Sequence, residues 1–281
     1  MEQINKENRN IFFKNGFLTI DNIIDVKLLR KVEKNYKKIF SGAYSTGVVP
    51  DKIKWKQNRD PNNIPRSLCN VWKSNVDVAK IVLLKEISKI AGKLMGWEST
   101  RLNQDSLIWV TPGSGCVNYH QDNPYQDWHT PGGVITCWIP LSDTTSDSAT
   151  LEFLAGSNKL KMSKRLENFY AKKNYRYINK NFFNKRNNFK IEPLVLKEGS
   201  VSFHHGKTWH GSGFNKTKKD RVALSIHFMN GKSKFHKKIK SPYFNHYKKF
   251  DSTTMEESFF PITWSENSYR SLFIKKYLKN K

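Results

Sequence analysis

The chain is short of acidic residues, holds only three cysteines, and lacks any apolar run long enough to cross a bilayer. Cys69, Cys116 and Cys137 show no CxxC spacing, which excludes a disulfide framework and a zinc knuckle. Without a long apolar run there is no spanning helix. The start, Met1-Glu2-Gln3-Ile4-Asn5-Lys6, has no hydrophobic stretch of the signal-peptide kind. A soluble, cytoplasmic protein with no membrane partner is therefore expected. Asp and Glu number 24 against 49 Lys and Arg, giving a net charge of +25. Such a surface attracts nucleic acid, anionic lipid or phosphorylated metabolites. The lysines run along the whole chain and thicken over Lys159–Lys190 and Lys232–Lys249 without the form of a nucleic-acid module. Compositional bias, or an anionic small-molecule substrate, accounts for them better than nucleic acid. Oligomeric state is left open.

What is present suffices for one large domain: 281 residues, 37% hydrophobic and 13% aromatic, with eight tryptophans. Residues 1–20 read as a short lead-in in which Phe12, Phe13, Phe17 and Ile20 pack and Asn15-Gly16 turns. Asp25 is placed to cap a helix from Val26 to Phe40. Residues 41–65 form a long loop anchored by Trp55. A second helix spans Val76 to Met95 and stops at Gly96. From there the pattern turns to strands, at 106–110, 134–141, 150–154, 199–203 and 221–229. In the last of these, Val222, Leu224, Ile226 and Phe228 alternate with Arg221, Ala223, Ser225 and His227. The basic, aromatic stretch from Asn158 to Ile191 reads as a lid or substrate loop. Residues 259–264 are expected to fold back onto the body. Helices followed by many short strands suggest a mostly β fold, a double-stranded β-helix or jelly roll braced by N-terminal helices.

The chemistry centres on His120-Gln121-Asp122. On a strand the two-residue period points His120 and Asp122 to one face, and His210 arrives from a distant strand 88 residues beyond Asp122. Two imidazoles and one carboxylate on one side of a metal leave the other side open, as non-haem Fe(II) oxygenases require. Taken alone, His-x-Asp is a weak signal, since a surface Asp beside a core His reads the same way. The downstream set strengthens it. Arg221, eleven residues after His210, is expected to start the adjacent antiparallel strand and suits a two-toothed grip on the far carboxylate of 2-oxoglutarate; the bland alternative is a surface or structural ion pair. Ser212, on the face of His210, can donate to that carboxylate. Gln104 and Asn118 face the barrel and are candidates to touch 2-oxoglutarate or substrate. Tyr125 and Trp128 are candidate pocket walls, or ordinary packing. His204 and His205 are assigned structural or supporting roles. His129 is either a substrate contact or an exposed loop residue.

Several motifs carry a family resemblance. They are His120-Gln121-Asp122-x-x-Tyr125, Trp138-Ile139-Pro140-Leu141, Leu151-Glu152-Phe153-Leu154-Ala155-Gly156-Ser157, and Phe203 through Ser212 with Arg221. The chain resembles the phytanoyl-CoA dioxygenase family of Fe(II)/2-oxoglutarate-dependent oxygenases over about residues 12–230. The resemblance implies that His120, Asp122 and His210 bind Fe(II) and carry the catalysis, that Arg221 and Ser212 hold 2-oxoglutarate, and that Trp138 lines the site, with O2 as the further co-substrate. It implies one dioxygenase domain over 1–281: a helical part to about residue 100, a jelly-roll core over about 101–230, and a basic aromatic extension over about 231–281. The expected reaction is hydroxylation of a small metabolite, an anionic one among the candidates, with release of succinate and CO2. Asp122 fills the position that halogenases of this type keep open. Val110-Thr111-Pro112 and Ser157-Asn158 depart from the pattern of many relatives, and both bear on substrate more than on metal. The alternatives are a non-catalytic cupin-like or nucleic-acid-binding protein using its basic surface, and an oxygenase of the same type that desaturates or cyclises.

Overall fold

Local capping sets the first helices. Residues 1–20 are not a plain lead-in. In the structure, a computed structural model that describes residues 4–166, 169–171, 175–176 and 189–279, they contain α1 (Lys6–Asn15) followed by β1 (Phe17–Ile20). Asn5 and Asn8 cap each other reciprocally, and Gly16 ends the helix in the left-handed region at φ 87°. Of its own residues only Phe12 is buried, so α1 leaves no apolar period to read; Phe13 stays exposed, with its ring set edge-on to that of Phe12. α2 (Val26–Phe40) has the expected bounds, because the Asp25 carboxylate accepts the Lys27 N–H at 2.8 Å. The helix expected over 76–95 is two, α3 (Val76–Val82) and α4 (Lys85–Met95). Leu84, at ψ 124°, takes an extended conformation between them and starts α4. The buried stripe continues through the break, which is why periodicity does not show it.

The strands follow as β2 (Lys52–Ile53), β3 (Arg66–Cys69), β4 (Ser99–Val110), β5 (Cys116–His120), β6 (His129–Thr130), β7 (Ile135–Pro140) and β8 (Leu151–Leu154). After these come β9 (Tyr170–Ala171), β10 (Ile191–Pro193), β11 (Val201–His205), β12 (His210–Ser212), β13 (Arg221–Asn230), β14 (Lys234–Phe235), β15 (Ile262–Ser265) and finally α5 (Leu272–Lys279). A large sheet runs β1-β11-β7-β13-β4-β3-β2, with β15 also on β4; a smaller one runs β10-β8-β12-β5-β9, and β14 pairs with β6. All these pairings are antiparallel. The fold is the jelly roll, mostly β, with the helices covering the large sheet. The stretch 259–264 does return to the body, as β15. Among the described residues no helix is long and apolar enough to cross a membrane.

The large sheet has two faces of different chemistry. From β13, Val222, Leu224, Ile226 and Phe228 join the core beneath Leu29, Val32, Ile87 and Leu94 of the helices. The intervening Arg221, Ser225 and His227 line a cavity on the other side. On β4 the same period puts Gln104, Ser106 and Ile108 on the cavity side and Leu107 against the helices, and an irregularity in register at Asn103 turns Leu102 to the helix side as well. The helices thus hold the sheet from behind, and the cavity lies on its open face.

This layering predicts that Leu224→Ala, at a fully buried site between sheet and helices, destabilises the protein by about 2–5 kcal/mol. The cost should appear as a lower urea midpoint at an unchanged slope.

Candidate active site

His120 ends β5 and His210 begins β12, and the two are direct partners across the ladder. Each ring is fixed from behind. His120 Nδ1 lies 2.8 Å from the Asn118 carbonyl and His210 Nδ1 lies 2.9 Å from that of Thr208. A carbonyl only accepts, so Nδ1 carries a proton on both rings and Nε2 is the nitrogen turned toward the cavity. Burial, then the neighbouring His120, pushes the His210 pKa well below its ordinary value, which keeps that imidazole neutral.

Asp122 arrives differently from the expectation. β5 stops at His120, and Asp122 sits in helical geometry (φ −77°, ψ −38°) at the head of a short 3-10 turn over Asn123–Tyr125. The turn, not the strand period, brings its carboxylate back to His120. Oδ1 lies 3.6 Å from His120 Nε2 and 3.7 Å from His210 Nε2. The three ligand atoms lie within 4.8 Å of one another, so small inward rotations of the side chains bring all of them to one ion.

The other oxygen, Oδ2, accepts the Thr136 hydroxyl at 2.7 Å, with His204 Nε2 at 3.1 Å and His227 Nε2 at 3.6 Å. Burial works to raise the Asp122 pKa, but the hydrogen bonds that Oδ2 accepts from the Thr136 hydroxyl and from His204, within a ring of imidazoles, outweigh it and hold the group well below the usual carboxylate range. His204 has the supporting role expected of it, with a carboxylate partner that its sequence neighbourhood does not reveal. For His227 the one sign in the sequence is the strand parity it shares with Arg221.

Arg221 opens β13 as expected, but that strand belongs to the large sheet and does not pair with β12. The guanidinium is buried. Nη2 donates to the Ala149 carbonyl at 2.7 Å, Nε has no partner, and the Trp138 ring lies 5.9 Å from Cζ. No carboxylate faces it among the described residues, and burial brings its pKa down to about 10.

Arg221, the three ligand candidates, Ser212, Trp138, Gln104, Tyr125 and Trp128 all line one cavity of about 330 Å³. Trp128, 1% exposed, also packs against Phe235, Phe244 and Phe260, so wall and core are one residue here. Asn118 is not among the lining residues. The register between β5 and β12 slips by one residue between the His120 and Val117 pairings, so Val117 takes the cavity face in its place. His129 is neither a substrate contact nor exposed: it is buried in β6 with Nδ1 against the Pro131 carbonyl. Of the expected lid, Leu166, Phe169 and Tyr170 line the cavity, while residues 167–168, 172–174 and 177–188 lie outside the described residues. Lys54, Tyr243 and Phe244 also line it. They come from the long loop and the C-terminal extension, where no motif singles them out.

The family model described as phytanoyl-CoA dioxygenase (PhyH) matches residues 12–223. A probable alpha-ketoglutarate-dependent hypophosphite dioxygenase of Stutzerimonas stutzeri is 24% identical over 223 residues, 78% of this chain and 77% of its own. The peroxisomal phytanoyl-CoA dioxygenase of Bos taurus is 23% identical over 230 residues, 79% of this chain and 67% of its own. Among solved structures, the alpha ketoglutarate dependent carbocyclase SnoK from nogalamycin biosynthesis superposes with a TM-score of 0.72 at 16% identity, covering 92% of this chain and 96% of that one. The epimerase SnoN, in complex with Fe3+, alpha ketoglutarate and nogalamycin RO, gives 0.71 at 14% identity, covering 92% and 98%.

The burial of His129 has a pH consequence. Desolvation pushes its pKa down to about 4, against the opposing pull of the Pro131 carbonyl and Asp127. The unfolded chain takes up that proton near pH ~6.5, so stability from this residue is present above that pH and is lost as pH falls toward about 4. His129→Gln should lose about 2 kcal/mol less than the parent between pH ~7 and ~5 in denaturant melts.

Proposed function

The chain belongs to the phytanoyl-CoA dioxygenase family of 2-oxoglutarate-dependent oxygenases, which use Fe(II), 2-oxoglutarate and O2, and we propose that it hydroxylates a small metabolite with His120, Asp122 and His210 as iron ligands. The observation that carries this reading is the convergence of two imidazole Nε2 atoms and one carboxylate oxygen in a cavity that also holds a buried guanidinium with no carboxylate partner among the described residues. That donor set suits ferrous iron, with open positions left for co-substrate.

Bound iron, 2-oxoglutarate and O2 together supply the oxidising chemistry that releases succinate and CO2 and delivers oxygen to a C–H bond. The chain's own residues position and shield. The Asn118 and Thr208 carbonyls fix the ring orientation of His120 and His210. Thr136 and His204 engage Oδ2 of Asp122, which leaves Oδ1 for the metal. Arg221, with Ser212 beside it in the cavity, receives the distal carboxylate of 2-oxoglutarate, and the Trp138 ring excludes water from that contact. Gln104, Tyr125 and Trp128 are left to face the substrate. The Asp122 carboxylate occupies the place a halide would need, which favours hydroxylation over halogenation. A cavity of about 330 Å³ is at the small end for ligand sites. With 2-oxoglutarate seated, it suits a small molecule.

The whole of 1–281 is read as one catalytic domain, because Tyr243 and Phe244 of the C-terminal extension help to wall the cavity.

Iron and 2-oxoglutarate added to the anaerobic protein should give a weak visible charge-transfer band, and His120→Ala should abolish it. Survival of the band in that variant would contradict the ligand assignment. Arg221→Met should weaken 2-oxoglutarate binding by at least about tenfold, read by titration of the same band. The same substitution should leave the thermal stability of the metal-free protein unchanged or raised, since it removes an unpaired buried charge.

A further inference from the structure

The same cavity contains a second cation that the proposed chemistry does not use. Lys54 follows β2 at the edge of the large sheet, where its N–H donates to the Ser67 carbonyl at 2.9 Å. Its side chain lines the cavity, with Nζ 5.1 Å from the centre of the Phe169 ring and 5.8 Å from that of Tyr170. Phe169 in turn lies 4.5 Å, ring to ring, from His120. One aromatic ring therefore touches both the ammonium and a proposed iron ligand.

No carboxylate pairs with Lys54 among the described residues. Burial is the main influence on it and lowers its pKa, and the next is the like charge of Lys52. Lys52 itself rests 3.8 Å from the centre of the Tyr243 ring, another wall of the cavity. Cys69, also near, is held as a neutral thiol by burial, with its pKa pushed up to about 12.

The contrast with other sheltered cations is informative. Lys73 is also sheltered but ion-paired, with Asp51 at 2.5 Å. Arg101 donates to the Gly231 and Phe260 carbonyls. Arg66 is sandwiched between Trp55 and Trp109, at 3.9 and 3.7 Å from the ring centres, and its Nη2 donates to Asn62 Oδ1 at 3.1 Å. Among the described residues Lys54 has the faces of two rings and no anion, a contact worth about 0.5–2 kcal/mol and less than the desolvation of an ammonium. A partly desolvated cation left without an anion beside a reactive centre is a seat for one.

We propose that Lys54 binds the substrate: the molecule oxidised carries a carboxylate, phosphate or sulfate group that pairs with the Lys54 ammonium, while its apolar part lies on the Phe169 and Phe244 rings. This rests on the iron and 2-oxoglutarate reading above. The ordinary alternative is a lysine that lays its stem along aromatic surface and does nothing more.

The test uses the iron-loaded protein at saturating 2-oxoglutarate without O2. Butyrate, benzoate, phenyl phosphate and phenyl sulfate are titrated against butyramide, benzamide and phenol, and perturbation of the charge-transfer band is read as binding. At least one anion should bind more than tenfold tighter than its neutral counterpart. Lys54→Met should lose that preference and Lys54→Arg should keep it, while both variants retain the unperturbed band. Equal binding of anions and neutral molecules, binding of none of the panel, or an undiminished preference in Lys54→Met would each overturn the proposal. Loss of the band in Lys54→Met alone would also overturn it, by placing Lys54 in the 2-oxoglutarate seat. Absence of the band from the parent protein would instead sink the iron reading itself.

Discussion

A buried carboxylate among four imidazoles is the constraint on which the rest of the structure depends. Left alone in the interior, the Asp122 charge would cost several kcal/mol and would be neutralised by a proton. Its neighbours reverse that outcome, and they come from both sheets. His120 and His210 belong to β5 and β12 of the smaller sheet, whereas Thr136, His204 and His227 belong to β7, β11 and β13 of the larger one. Five strands must therefore be in register before the charge is tolerated. The two oxygens end with separate partners: Oδ2 takes the Thr136 hydroxyl and His204, and Oδ1 faces the two candidate ligand rings. An acid fixed in this way has little freedom to rotate, which suits a metal ligand better than a proton carrier.

The helical layer is part of the same arrangement. A sheet whose inner face is polar cannot be held by that face, so its adhesion comes from the outer one. Leu224 and its neighbours on β13 pack under α2 and α4, and this leaves Arg221, Ser225 and His227 free of any packing duty. At the far edge of the cavity the division breaks down. Trp128 serves as both wall and core, tying the cavity to the aromatic cluster of the C-terminal extension. The extension is thereby coupled to the site by packing, even though it lies outside the span that the family model matches.

Much of this was legible from residue types alone. Alternation along β13 separates its two faces correctly, and Asp25 marks the start of α2 because an N-cap is a local interaction. The jelly roll itself follows from helices succeeded by short strands. What escaped depends on non-local or irregular backbone. Asp122 reaches His120 through a 3-10 turn, so the strand argument brings the right residues together for the wrong reason. Asn118 does not line the cavity, because a one-residue slip in register inverts the faces on either side of it. The break at Leu84 interrupts a helix whose buried stripe does not falter. Lys54 sits in a loop with no motif at all, and only the folded chain shows that it is sheltered and, among the described residues, without a carboxylate.

That last point bears on the charge of +25. A composition rich in lysine cannot tell bias from function, but burial and pairing can. Lys93 and Lys232 meet Glu266 and Glu98 at the surface, where both partners are largely exposed and such a pair is worth at most about 1 kcal/mol. These lysines cost little to keep and little to lose. A sheltered cation is different, because each one must be compensated or its shelter is destabilising. Among the sheltered cations considered, Lys73 has a carboxylate, Arg101 has carbonyls and Arg66 has two indole faces. Arg221 is left with a single carbonyl and Lys54 with ring faces, and both open on the same cavity. Two deficits of negative charge in one small space point to two anions: a dicarboxylic co-substrate for the guanidinium, and an acidic substrate for the ammonium.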